Sequence, residues 1–353
     1  MHRCTRVGTQ LFAFAVKRRE GRLQAAPTTV TVKLFAVTVR RAVLVACTAA
    51  VSLGAVGCQR PQPTTAPWND DVVKQIEAWR AKHEADYTRE WATIEGLHFL
   101  SPGTHTAGSA AGNDVVLTSA LPPTVGSFTV ADNEVRFVPQ RGVDVTINGK
   151  APSGDSRLRD DDDKSGTDEI VSNGVSIVVH KSGERLSLRV RNPNGERAKT
   201  FRGFTWFPLN SAYRVAGHFI ADASPRNVRV VNTFGDVDTF KTEGVVEFTL
   251  NGRVLRLRPF TTRPKRLYFV FKDASSGDET YEAARFLYAD LGDDGSVILD
   301  FNEAYNPPCS FNPFTTCPIP LPENRLAVKV LAGEKKYPVH VDLPIDGAQR
   351  SKT

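Results

Sequence analysis

The sequence predicts a mainly β protein, with one N-terminal helix, then a β-sandwich-like unit and a β-barrel-like unit. Three observations carry this. No long helical apolar period recurs after Ile94. Asn148-Gly149 and Asn251-Gly252 sit between alternating apolar runs, the strongest short-range hairpin signal. Strand follows strand without intervening helices, which excludes a doubly wound nucleotide-binding fold.

Residues 1–57 read as a leader. They hold nine of the 45 Lys/Arg and one of the 39 Asp/Glu, so the chain from Cys58 onward carries 36 basic against 38 acidic residues. The net charge of +6 therefore belongs to the leader, and nucleic-acid binding loses its only support. Arg40 and Arg41 precede the apolar run AVLVACTAAVSLGAVG. That run is short for a membrane span of about 20 residues and suits a signal-peptide core. Ala55, Val56 and Gly57 before Cys58 resemble a bacterial lipobox, with Ala55 where Leu is usual, which makes Cys58 the expected lipidation site. An ordinary cleaved signal and an uncleaved anchor are the other readings. Met1 is the sole methionine, so an internal start, at Val37 or Val39 for example, would use a non-Met codon; an overextended gene start is expected.

Residues 58–68, with the Pro/Thr-rich QRPQPTTAPW, read as a tether. Over 69–95 a helix is predicted, capped by Asn69 or Asp70, with Val72, Val73, Ile76, Trp79, His83, Tyr87 and Trp91 at three- and four-residue steps. His83 on that stripe reads as packing. Residues 96–195 form the sandwich-like unit, interrupted by a charged stretch from Ser153 to Glu169 whose DDDDK reads as solvated charge, since a calcium loop's glycine and spacing are missing. Residues 196–345 form the barrel-like unit, with a third hairpin turning at Asp293–Gly295.

The segment from Asn302 to Leu326 packs six prolines with Cys309 and Cys317 and has no regular period. In an oxidising compartment two thiols eight positions apart form a natural disulfide. Crosslink and proline rings together hold one shape without regular hydrogen bonding. Such a loop either plugs an open barrel end or presents polar side chains to a ligand. The candidates on the loop are Tyr305, Asn306, Asn324 and Arg325, with neighbours Asp273, Ser275, Ser276, Glu279, Tyr281 and Arg285 from the polar stretch DASSGDETYEAARF. Asp273 and Glu279 buried together could do acid/base work, and Arg285 or Arg325 could hold an anion. Glu279 and Arg285 could equally pair with each other.

Other chemistry is poorly supported. No G-x-S-x-G elbow, H-E-x-x-H or paired C-x-x-C occurs, and His98 with His105 is a loose spacing for a metal; no metal or other cofactor is expected.

Two resemblances follow from longer motifs. LHFLSPGTHTAGSAAGNDVVL with the later Asn148-Gly149 resembles the opening strands of a forkhead-associated sandwich. Ser109 stands where that family has an Arg, so the sandwich is implied and phosphothreonine reading is not. FRGFTWFPLNSAYRV, FKDASSGDETYEAARFLYADL, DFNEAYNPPCSFNPFTTCPIPLPENRLAVKVLAGEKKY and the upstream GLHFL resemble the bacterial domain of unknown function 1684, over about residues 75–340. That family implies no activity. The expected function is thus an exported cell-envelope lipoprotein, at the outer face of the cytoplasmic membrane or in the periplasm, binding a small polar or anionic ligand beside residues 302–326. The alternatives are an envelope hydrolase using Asp273, Glu279 and Arg285, or a scaffold for envelope proteins; whether the chain is an enzyme is left open.

Overall fold

A computed structural model describes residues 66–339 and 341, all within one compact unit spanning Gln59–Thr353. The leader, Cys58 and most of the tether lie outside the described residues. Helix α1 runs Asp70–Glu90. Asn69 caps it, its side-chain oxygen accepting from the Val72 N–H at 3.0 Å, and Asp70 and Asp71 complement the positive helix start. Val72 and Ile76 are buried, while Trp79, His83 and Tyr87 continue the same stripe into an aromatic seam. The helix ends earlier than expected, because Ile94 already begins a strand.

Ten strands follow: β1 (Ile94–Phe99), β2 (Gly103–Gly108), β3 (Val115–Val116), β4 (Gly126–Ala131), β5 (Glu134–Pro139), β6 (Thr146–Ile147), β7 (Ser156–Leu158), β8 (Glu169–Ser172), β9 (Val175–Ser182) and β10 (Arg185–Arg191). They make two five-stranded sheets, ordered β1-β10-β9-β8-β6 and β3-β2-β4-β5-β7. Phe128, Phe137, Ile170, Ile177 and Leu188 from both sheets share one apolar core, the expected sandwich. Asn148-Gly149 takes φ of 51° and 74°, the left-handed pair that a two-residue turn demands.

After the short helix α2 (Glu196–Thr200) come β11 (Arg214–Val231), β12 (Val237–Leu250), β13 (Arg253–Leu257), β14 (Phe260–Arg263), β15 (Arg266–Phe271), β16 (Arg285–Asp290) and β17 (Ser296–Asp300). The Asn251-Gly252 hairpin joins β12 to β13 as expected. The expected barrel does not close. Instead there are two open sheets, β13-β12-β11-β17 and β14-β15-β16. Pro259 separates β13 from β14 and supplies no donor there. At that corner the Asn324 side chain accepts from the Arg258 N–H (2.8 Å) and donates to the carbonyls of Arg258 (2.8 Å) and Val270 (2.9 Å). One loop side chain thus occupies main-chain groups that a continuous ladder would have used. At the other end the turn that follows β16 pairs with β17 through the Leu291–Val297 bridge.

Candidate functional site

The loop 302–326 is largely interior. Asn306, Asn312 and Asn324 are fully buried, and a buried amide must find partners. Asn306 meets Glu334, with Nδ2 to Oε1 at 2.7 Å and its N–H to Oε2 at 2.8 Å. Asn312 donates to the carbonyls of Trp91 and Ile94, at 2.8 and 2.9 Å, tying the loop to the start of the sandwich. Of the asparagines expected to face a ligand, Asn306 instead faces the Glu334 carboxylate and the Lys335 carbonyl, and Asn324 faces main chain. Tyr305 is buried too, its ring 4.4 Å from His83 and 5.7 Å from Phe286.

The stretch from Asp273 to Arg285 is likewise structural in its contacts. Arg285, fully buried, donates to Asp273 at 2.9 Å, to the Val330 carbonyl at 2.9 Å and to the Ala332 carbonyl. Asp273 also accepts from the Ser275 hydroxyl (2.5 Å) and from the N–H groups of Ser275 (2.8 Å) and Val330 (3.1 Å). Glu279 does not join this pair. It is half-buried and bonds Lys329 at 2.8 Å. The two carboxylates expected to work together thus have separate partners, and Arg285 pairs with Asp273 rather than Glu279. The Ser276 hydroxyl accepts from the Asp273 N–H at 3.2 Å, and the Tyr281 hydroxyl donates to the Cys309 carbonyl at 3.2 Å. Arg325 is exposed in a shallow groove with Glu247, Val254 and Arg256. The expected residues do not converge on one concavity.

The expected Cys309–Cys317 bridge is not formed: both are free, buried thiols. Cys309 Sγ accepts from the Tyr281 hydroxyl and Cys317 Sγ donates to Thr315 Oγ1, each at 3.7 Å, and burial pushes the Cys309 thiol up from its usual value.

Two arrangements that sequence reasoning missed lie on either side of the loop tip. The first is a cleft of ≈ 410 Å³ lined by Phe201, Phe311, Tyr337 and Pro313, with Arg197, Thr200 and Arg202 at its polar part. The Phe201 and Tyr337 rings lie 7° from parallel at 6.0 Å, and Phe311 is 5.0 Å from Phe201. Arg197 is held in place by the Phe311 carbonyl (3.4 Å) and the Phe314 ring (5.3 Å), and its partial burial lowers its pKa. Arg202 is exposed. Among the described residues neither guanidinium forms a direct ion pair, while the Glu95 carboxylate attracts Arg197 from farther off. Its signal in the sequence was the motif FRGF, whose neighbours at 311–313 and 337 only folding supplies.

The second joins loop and sandwich. The Thr316 hydroxyl lies 2.8 Å from His180 Nε2, and His180 Nδ1 lies 2.6 Å from Asp161 Oδ2. Asp161 belongs to the DDDDK run read as solvated charge; instead it also accepts from the Lys181 N–H and from Arg189 Nη1, each at 3.0 Å. Burial raises its carboxyl, but His180 and Arg189 outweigh that and hold it below the usual carboxylate range. Burial keeps His180 below the usual imidazole value, with Asp161 pulling the other way.

Fold and clefts define a mainly β protein with a cationic, aromatic-walled cleft beside a buried proline-rich loop. Residues 199–335 match the family model described as Protein of unknown function (DUF1684). Among solved structures, the chain is similar to the solution NMR structure of an uncharacterized protein of Haloarcula marismortui. The identity is 27%, over 41% of this chain and 82% of that one, with a TM-score of 0.35. No curated protein matches.

Proposed function

We propose that this chain is an exported, lipid-anchored protein of the cell envelope that binds a small anionic ligand in the cleft beside residues 311–313. The observation that carries the binding part is the cleft itself: two arginines that form no direct ion pair among the described residues, over a wall of three aromatic rings. Arginine suits a planar or tetrahedral anion, and the rings suit an apolar or flat body attached to it. Concave, mostly apolar sites with a few fixed polar groups are the usual form of small-ligand sites. The export part rests on the leader and on the lipobox-like residues before Cys58. No helix among the described residues is long and apolar enough to cross a membrane. The anchor in this reading is a lipid on Cys58, from the lipobox-like residues before it.

In an oxidising compartment the paired thiols of Cys309 and Cys317 close. A thiol–disulfide oxidant accepts two electrons, two protons leave, and one S–S bond forms. Crosslinking so short a loop is worth about 2–3 kcal/mol in the chain-entropy account.

Melting in the presence of phenyl phosphate and of benzoate tests the cleft. Either probe should raise the melting temperature of the wild type and leave that of Arg197→Ala/Arg202→Ala unchanged. No shift in the wild type, or the same shift in the double variant, sinks the cleft reading.

A further inference from the structure

We propose that Thr316, His180 and Asp161 form a second site, an esterase centre that takes small carboxylic esters. The evidence is independent of the anion cleft. Nucleophile to base and base to orienting carboxylate are both direct hydrogen bonds, 2.8 and 2.6 Å, the two contacts that define such an array on any fold.

Each member is fixed by its own surroundings. Asp161 is oriented by the Lys181 N–H and Arg189, so the carboxylate that receives the imidazole cannot swing away. His180 lies within β9, buried, and Ser187 donates to its carbonyl at 3.1 Å. With Nδ1–H donated to Asp161, the Nε2 lone pair faces the Thr316 hydroxyl, the tautomer a general base requires. Thr316 is partly exposed while both neighbours are buried. Thr315 Oγ1 donates to the Asn312 carbonyl at 2.9 Å. Cys317 is held on both sides by Thr233, its N–H donating to Thr233 Oγ1 at 3.1 Å and its carbonyl accepting from the Thr233 N–H at 2.9 Å. The stiff loop therefore fixes one hydroxyl against a base contributed by the sandwich.

The reaction balances without a further oxidant or reductant. Thr316 Oγ bonds to the ester carbonyl carbon as its proton passes to His180 Nε2. The C–O bond to the leaving group breaks, and that proton goes to the departing alkoxide. Water, deprotonated by His180, then attacks the acyl-threonine and releases the carboxylic acid and the free hydroxyl.

The test uses p-nitrophenyl acetate with the folded protein, following p-nitrophenol release and mapping the acetyl group by peptide mass spectrometry. The wild type should hydrolyse the ester above the buffer rate and carry acetyl on Thr316 during turnover. Thr316→Val should lose both, Thr316→Ser should retain them, and His180→Gln should lower the rate roughly 100-fold. Circular dichroism of each variant checks its fold; should Thr316→Val or His180→Gln misfold, the wild-type acetyl map and Thr316→Ser decide. A wild-type rate equal to buffer, an unchanged rate in folded Thr316→Val, or acetyl on another residue overturns the assignment.

Discussion

Asp273 and Arg285 show how residue types foretold chemistry without foretelling its use. A carboxylate, an arginine and hydroxyls within thirteen positions suggested a site, yet both charges are sealed, Arg285 donating through its terminal nitrogens to Asp273 and to the carbonyls of Val330 and Ala332. Such a pair is costly to break from one side, since the survivor is left charged in a dry interior. Arg285→Met is expected to destabilise by about 3–5 kcal/mol in urea titration, and Asp273→Leu added to it should recover part of that loss. Glu334 offers a pH test. Burial, offset only partly by the Asn306 donors, raises its pKa from 4.5 to about 8. The folded state thus keeps a proton that the unfolded chain gives up. The stabilisation is complete below about pH 4.5, declines as pH rises and is gone above about 8. Melting temperatures of the wild type should fall between pH 5 and 9 by more than those of Glu334→Gln. His83 runs the opposite way. Burial lowers it to about 4, so its contribution is present above pH 6.5 and fades as pH falls through 4.

At the scale of elements, the local signals were the legible ones. The Asn69 cap, the apolar stripe of α1 and the two Asn-Gly turns are set by neighbours three or four positions away, so the chain alone contains their cause. Asn69→Ala should cost about 1 kcal/mol, read as a lower urea midpoint with unchanged slope. The proline loop was legible as stiff but not as interior, because its partners, Trp91, Ile94, Arg258, Val270 and Glu334, lie far away in sequence. Oxidation of Cys309 and Cys317 should raise the melting temperature relative to the reduced form. Free-thiol counting that finds both thiols in the protein after exposure to a thiol–disulfide oxidant refutes the bridge.

Across the whole molecule, sandwich and open sheets are joined by specific polar contacts. Asp236 binds Arg185 at 2.6 and 2.8 Å and Ser182 at 2.7 Å, and Asp238 accepts from the Gly183 N–H at 2.9 Å. Together with the loop's reach to Trp91, Ile94 and His180, these couple the two parts. Unfolding is therefore expected as one calorimetric transition. Asp236→Ala should lower that transition as a unit, and two resolved transitions in the wild type would show that the parts melt independently. Cys58→Ser should move the protein from the membrane fraction to the soluble fraction, and retention in the membrane would contradict the lipid anchor. The amino-acid sequence by itself determined the β-rich class, the helix, the turns and the stiffness of the loop, because each follows from short-range periodicity, capping and backbone restriction. Only the tertiary structure decided which side chains met, since Thr316 with His180, Phe311 with Phe201 and Asp273 with Arg285 became neighbours through sheet packing that short-range pattern does not encode.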